Sequence, residues 1–106
     1  MRIKESIYVW KTRLDEIEKG YQVYKRIKAE YGKKISICVS QHRALGDAYL
    51  AGLYLNSFYK KDFVVTALGE GARSVYQYLN IKNIKILNEE ETNLLISFCH
   101  FQITFT

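Results

Sequence analysis

The sequence predicts an α/β chain: a three-layer, Rossmann-like domain with a short parallel sheet of three or four strands and an N-terminal helical extension. Three observations carry this. Short β-branched apolar runs recur at 35–40, 63–68 and 84–87. Each is followed by a stretch with helical spacing, and strands alternating with helices imply a parallel sheet with right-handed crossovers. The runs are apolar nearly throughout rather than alternating, as strands covered on both faces should be. At 106 residues, 48% hydrophobic and 25% charged, the chain has the size and composition of one folded domain or one domain with an appendage. The division falls at 1–33 for the helical extension and 34–106 for the Rossmann-like part, which amounts to about half of a doubly wound domain.

Residues 5–31 read as one amphipathic helix. Ile7, Trp10, Leu14, Ile17, Tyr21, Tyr24 and Tyr31 recur at spacings of three and four, and Ile27 keeps the stripe alive where the strict heptad places Lys28. Gly20 costs about 1 kcal/mol relative to Ala in a helix interior, which predicts a bend or break there. The stripe is expected to pack either on the chain's own sheet or on another chain, or to self-associate. After Gly32, Ile35–Ser40 forms the first strand and Gly46–Tyr59 a helix. Phe63–Leu68 forms the second strand, Gly69-Glu70-Gly71 a turn and Ala72–Leu79 a short helix. Asn80 is a left-handed helix stop closed over by Ile81, and Ile84–Leu87 is the third strand. Asn88 reads as an N-cap with Glu91 three residues on, as in a capping box. Glu89, Glu90 and Glu91 then favour the helix dipole rather than catalysis. Leu94, Leu95 and Phe98 give that helix its apolar face, and the weakly alternating tail at 101–106 supplies the fourth strand if one forms.

The chain holds nine tyrosines and no proline, so its turns rest on Gly, Asn, Asp and Ser. Cys38 and Cys99 are expected to be buried thiols in a reducing compartment. His100 beside Cys99 makes no metal spacing, and no metal or cofactor is expected. With no signal peptide and no apolar stretch of spanning length, the chain reads as cytoplasmic. Ten of the sixteen Lys and Arg but only five of the eleven Asp and Glu lie in residues 1–34, so the +5 surplus belongs to the first third. Mixed signs there read as a solvated helix face, with peripheral contact to an anionic membrane as an alternative. The aromatics at 10, 21, 24 and 31 fall at helix-packing spacing, and with no recognition signature beside them no nucleic acid is expected.

Chemistry is best placed in the turn Ser40-Gln41-His42-Arg43-Ala44-Leu45-Gly46-Asp47, at the carboxyl end of the first strand, where parallel sheets bind ligands. Gly46 permits a tight turn or close approach of a ligand to the backbone. Asp47 in the first helical turn is either a cap or, if a substrate hydroxyl reaches it, a proton acceptor. His42 and Arg43 are either plain turn residues or a cationic pair orienting an acidic sugar or phosphate. A weaker anion site, formed by Gly69, Gly71, Arg73 and Ser74, follows the second strand.

The run ALGDAYLAGLYLNSFYKKDFVVTALGEGARSVYQYLNIKNIKIL resembles the N-terminal half of GT-B glycosyltransferases, closest to the lipopolysaccharide heptosyltransferase family. The shared pattern is a strand, a Gly-Asp pair opening the first helix, a second strand, a short helix and a third strand. It covers about 55 residues, and Gly46-Asp47 is its pointed element. The resemblance implies that Asp47 is the base that activates an acceptor sugar hydroxyl during transfer from a nucleotide-activated sugar. The chain departs from the family in having no proline near Gly52 and about thirty residues of helix before the first strand. The second domain, where such enzymes mainly bind the nucleotide sugar, is also absent. The resemblance therefore implies an acceptor-side half, a truncated product or a degenerate relative, not expected to transfer sugar alone.

Overall fold

The computed structural model describes residues 3–98 and 102–103, with side chains from 14 to 98. The element order is α1 (Ile3–Tyr31), β1 (Ser36–Ser40), α2 (Leu45–Phe58), β2 (Phe63–Ala67), α3 (Glu70–Tyr78), β3 (Ile84–Ile86), α4 (Glu89–Phe98) and β4 (Gln102–Ile103). The strands form one sheet in the order β3-β2-β1-β4, and every neighbouring pair is parallel. Ile37 lies opposite Val64 and Cys38 opposite Val65, and Val65 in turn pairs with Ile84. The predicted fourth strand forms beside β1, with Val39 against Gln102 and Ser40 against Ile103. The fold is α/β with helices on both faces, as the alternating pattern requires.

Alternation along β1 divides its side chains between two cores. Cys38 joins Val65, Ala67, Ala48, Ala51, Leu55, Ala72 and Tyr76 under α2 and α3. Ile35, Ile37 and Val39 join Val64, Val23, Ile27, Leu87 and Leu95 under α1 and α4. Small residues let α2 lie close to α3 and the sheet. A Cβ on Gly52 would collide with the Leu79 side chain and come within 3.3 Å of the Tyr76 ring.

The helical extension is one unbroken helix through Gly20, so the expected break does not form. Gly20 is buried, not solvated, and α4 crosses α1 directly over it. A Cβ there would run into the Leu94 carbonyl oxygen and lie 3.2 Å from Phe98 Cβ. Packing gained at that crossing offsets the propensity cost. The inward face of α1 is Gly20, Val23 and Ile27, with Tyr24 and Tyr31 half-buried. Leu14, Ile17 and Tyr21 from the predicted stripe stay exposed. Of Ile7 and Trp10 only the helical backbone is described, and Cys99 and His100 lie outside the described residues.

The local signals of the C-terminal part act as their chemistry dictates. Asn80 takes φ 61°, and the Ile81 amide donates to the Tyr76 carbonyl at 3.1 Å to close α3. The capping box forms both bonds: the Glu91 amide donates to Asn88 Oδ1 at 2.7 Å, and the Asn88 amide to Glu91 Oε1 at 3.3 Å. One expectation is corrected. The turn after β2 needs only Gly69, whose φ of 130° is open to glycine, so α3 begins at Glu70 and Gly71 lies inside the helix.

Glu91 also accepts from Arg26 of α1, so the cap of α4 and the α1–α4 layer share one carboxylate. Burial pushes the Glu91 pKa up. The Arg26 hydrogen bond, the Asn88 amide and the charges of Arg26 and Lys85 outweigh it, and the net shift is downward from 4.5. A carboxylate whose pKa is depressed on folding stabilises the fold fully above its unfolded value and loses that contribution as pH falls through the folded one. Glu91→Gln is expected to lower urea stability at neutral pH. The gap to the parent protein should narrow as the pH is taken below 4.5.

Candidate functional site

Crossovers through α2 and α3 run on one side of the sheet, while α4 carries the chain to the other side of β1. The switch lies between β1 and β4, and the crevice outside the carboxyl ends of such strands is the expected ligand position. The turn 41–44 stands there and leads directly into α2.

A buried polar cluster fixes this end of β1. Ser40 Oγ and Tyr76 Oη share a hydrogen bond of 2.8 Å, and the Ser40 amide donates to Thr66 Oγ1 at 3.0 Å. All three residues are sealed from solvent. The His42 amide reaches back to Ser40 Oγ at 3.4 Å, so the turn is tied to the same hydroxyl. Burial pushes the Tyr76 phenol up from its ordinary pKa, and the Ser40 hydrogen bond partly opposes this. The cluster is a closed anchor with no solvent-facing nucleophile. Sequence reasoning missed it. Its only signals were Ser40 and Thr66, two hydroxyl residues inside mainly apolar strands, which do not reveal that a tyrosine from α3 will meet them.

The structure puts the predicted residues on this turn but does not gather them all around Asp47. Asp47 lies in the first turn of α2 and is exposed. Among the described residues its carboxylate has no hydrogen-bond or ion-pair partner, so it does not act as a cap. Gly46 is helical, and a Cβ there would meet nothing within 4 Å, so the fold itself does not demand glycine. His42 is half-buried with Nε2 shielded from solvent. Arg43 is exposed and paired with Glu89 in the first turn of α4. The expected cationic pair beside Asp47 is thus divided, with His42 turned toward the interior and Arg43 bridging to α4.

The second candidate turn makes its own partners. Arg73 Nη1 donates to Glu70 Oε2 at 2.9 Å, and Ser74 Oγ donates to the Glu70 carbonyl at 2.9 Å. Gly69 shapes the turn, while Gly71 faces Leu45, whose Cδ2 would be 3.1 Å from a Cβ. Arg73 and Ser74 thus both bond back to Glu70, in an exposed cluster at the helix start.

On the opposite face of the sheet, α1 and α4 part around a groove of about 340 Å³ lined by Glu16, Lys19, Glu90, Asn93, Leu94 and Ser97. Its mixed charges converge on no reactive group, and it contains none of the predicted residues. Among the described residues no three His, Cys, Asp or Glu side chains cluster as a metal would require, and no helix is long and apolar enough to cross a membrane.

Comparison with protein-family models, with curated proteins and with solved structures gives no match. The fold and the site thus define a class, a small Rossmann-like α/β domain with an exposed carboxylate at the mouth of its central strand.

The buried cluster yields a direct prediction. Tyr76→Phe leaves the Ser40 hydroxyl without its phenol partner. It is expected to lower stability by about 1–2 kcal/mol in urea unfolding, while Tyr78→Phe on the exposed flank of α3 leaves the midpoint unchanged.

Proposed function

We propose that this chain is the acceptor-side domain of a glycosyltransferase-like enzyme, cytoplasmic and inactive without a second domain that binds the nucleotide sugar. One observation carries the reading: Asp47 is exposed and without a partner among the described residues, in the first turn of the helix that follows the central strand. It stands beside the switch between β1 and β4, where the resemblance to the heptosyltransferase family expects a base. In this mechanism the acceptor hydroxyl gives its proton to the Asp47 carboxylate as its oxygen bonds to the anomeric carbon. The bond from that carbon to the nucleotide diphosphate breaks, and the diphosphate leaves with the electron pair. His42 and Arg43 hold the turn through Ser40 and Glu89 rather than gripping the sugar. The acceptor belongs to the class of cell-envelope saccharides.

The exposure of Leu14 and Ile17 on α1 favours a second reading, a non-catalytic interaction module whose aromatic helix stripe takes a partner chain. A soluble envelope-type oligosaccharide added to the labelled chain separates the two. The glycosyltransferase reading expects amide shifts confined to 42–48, weakened by Asp47→Asn, and no sugar transfer by the chain alone. A flat titration at 42–48 overturns it.

A further inference from the structure

α2 is apolar on both sides. Its inner face is Ala48, Ala51, Gly52 and Leu55, all buried. Its outer face carries Leu45, Tyr49, Leu50, Leu53, Tyr54 and Phe58, between 37% and 70% exposed. A surface helix of a folded domain normally shows a polar outer face, whereas a helix apolar all round is a covered one. Only Asp47 is charged among its 14 residues.

We propose that this face is covered by a second copy of the chain, through an antiparallel pairing of the two α2 helices about a two-fold axis. The outer seam is Gly46, Leu50, Leu53 and Ser57, at spacings of four, three and four, which is the repeat that lets two helices interlock. The seam reads the same in both directions about a point between Ala51 and Gly52. Antiparallel pairing sets Gly46 against Ser57 and Leu50 against Leu53, with Tyr49 flanking Tyr54. A two-fold interface needs this self-complementarity, because the same patch serves both partners. No like charges meet, since Asp47 faces the level of Asn56.

Gly46 is an independent observation. Its own fold leaves open space where a side chain would stand and imposes no positive φ, so nothing within the chain requires glycine there. A second helix crossing closely at that point does require it, as α4 requires Gly20. Tyr54 and Phe58 already pack on one another with centroids 5.6 Å apart, so part of the face is ordered before docking.

The area agrees with a weak dimer. The six exposed side chains offer on the order of 500–600 Å² per copy, the lower edge of specific interfaces. A lipid surface fits less well, because α2 itself carries no basic residue and its one charge, Asp47, is negative. Asp47 flanks the seam instead of lying within it, so the inference goes beyond the glycosyltransferase reading and does not rest on it.

Sedimentation equilibrium of the full chain from micromolar to near-millimolar concentration tests the pairing. The expected result is a monomer–dimer equilibrium from 12.4 kDa to twice that mass. Leu50→Glu should abolish it, and Gly46→Val should weaken it by at least about tenfold. Both variants should keep the parent circular dichroism spectrum, since both sites are open to solvent in the monomer. A protein that stays monomeric throughout overturns the proposal, as does a dimer indifferent to Leu50→Glu but lost on Ile17→Glu. A monomer that floats with phosphatidylserine vesicles through the same α2 face overturns it in favour of a membrane. Sugar-induced shifts at 42–48 are read separately, so either proposal can fail while the other stands.

Discussion

The close crossing of α1 and α4 at Gly20 is the contact on which the rest of this structure depends. β1 is buried on both faces, and α2 and α3 cover only one of them. The other face needs a helical layer, and α4 alone, ten residues long, is too short to supply it. The second half of α1 completes the layer by laying Val23 and Ile27 on Ile35, Ile37, Val39 and Val64. The two helices can share one face only if they approach closely, and the missing side chain at position 20 permits that approach. Polar ties then fix the layer: Glu91 joins Arg26 to the start of α4, Lys85 of β3 reaches Glu30 at 2.7 Å, and the Tyr31 hydroxyl donates to the Ile84 carbonyl. With α4 held on that face, the chain returns beside β1 rather than beyond β3, and the switch point forms where the turn 41–44 emerges.

The consequences for function follow from what the layers leave open. The α1–α4 side is held by ion pairs and aromatic packing, including Tyr24 and Phe98 with centroids 4.9 Å apart, with Leu14 and Ile17 left exposed on α1. The α2 side is different. Its inner face is mostly alanine and glycine, with Leu55, and sits tightly against α3, while the bulk of the helix projects outward. The carboxylate at its start and the apolar surface along its length are two features that packing among the described residues leaves unspent. Acceptor chemistry and pairing of copies each draw on one of them, and neither needs the other.

Much of this was legible in the sequence, for identifiable reasons. Alternation of β-branched runs with helical spacing gave the layers. Asn80, Asn88 and Glu91 marked helix ends because their side chains act on backbone groups only a few residues away. What the sequence could not reveal was nonlocal. Gly20 looked like a weak point because propensity is a local quantity, whereas its use is set by Leu94, far along the chain. Val23 was passed over because the heptad count followed the larger tyrosines and isoleucines. The division of His42 from Arg43 depended on Ser40 and Glu89, whose positions only the fold determines. Ser40, Thr66 and Tyr76 come from three elements, and nothing in their spacing announces a cluster.

The crossing at Gly20 gives the account its sharpest test, because local propensity and tertiary packing predict opposite signs. In a solvated helix interior Gly→Ala gains about 0.8–1 kcal/mol. Against the Leu94 carbonyl the added methyl forces backbone to move, and overpacking of this kind costs about 1–3 kcal/mol. Urea unfolding of Gly20→Ala beside the parent chain decides between them. Packing at the crossing predicts a clear loss of stability, and a variant as stable as the parent or more so would contradict it.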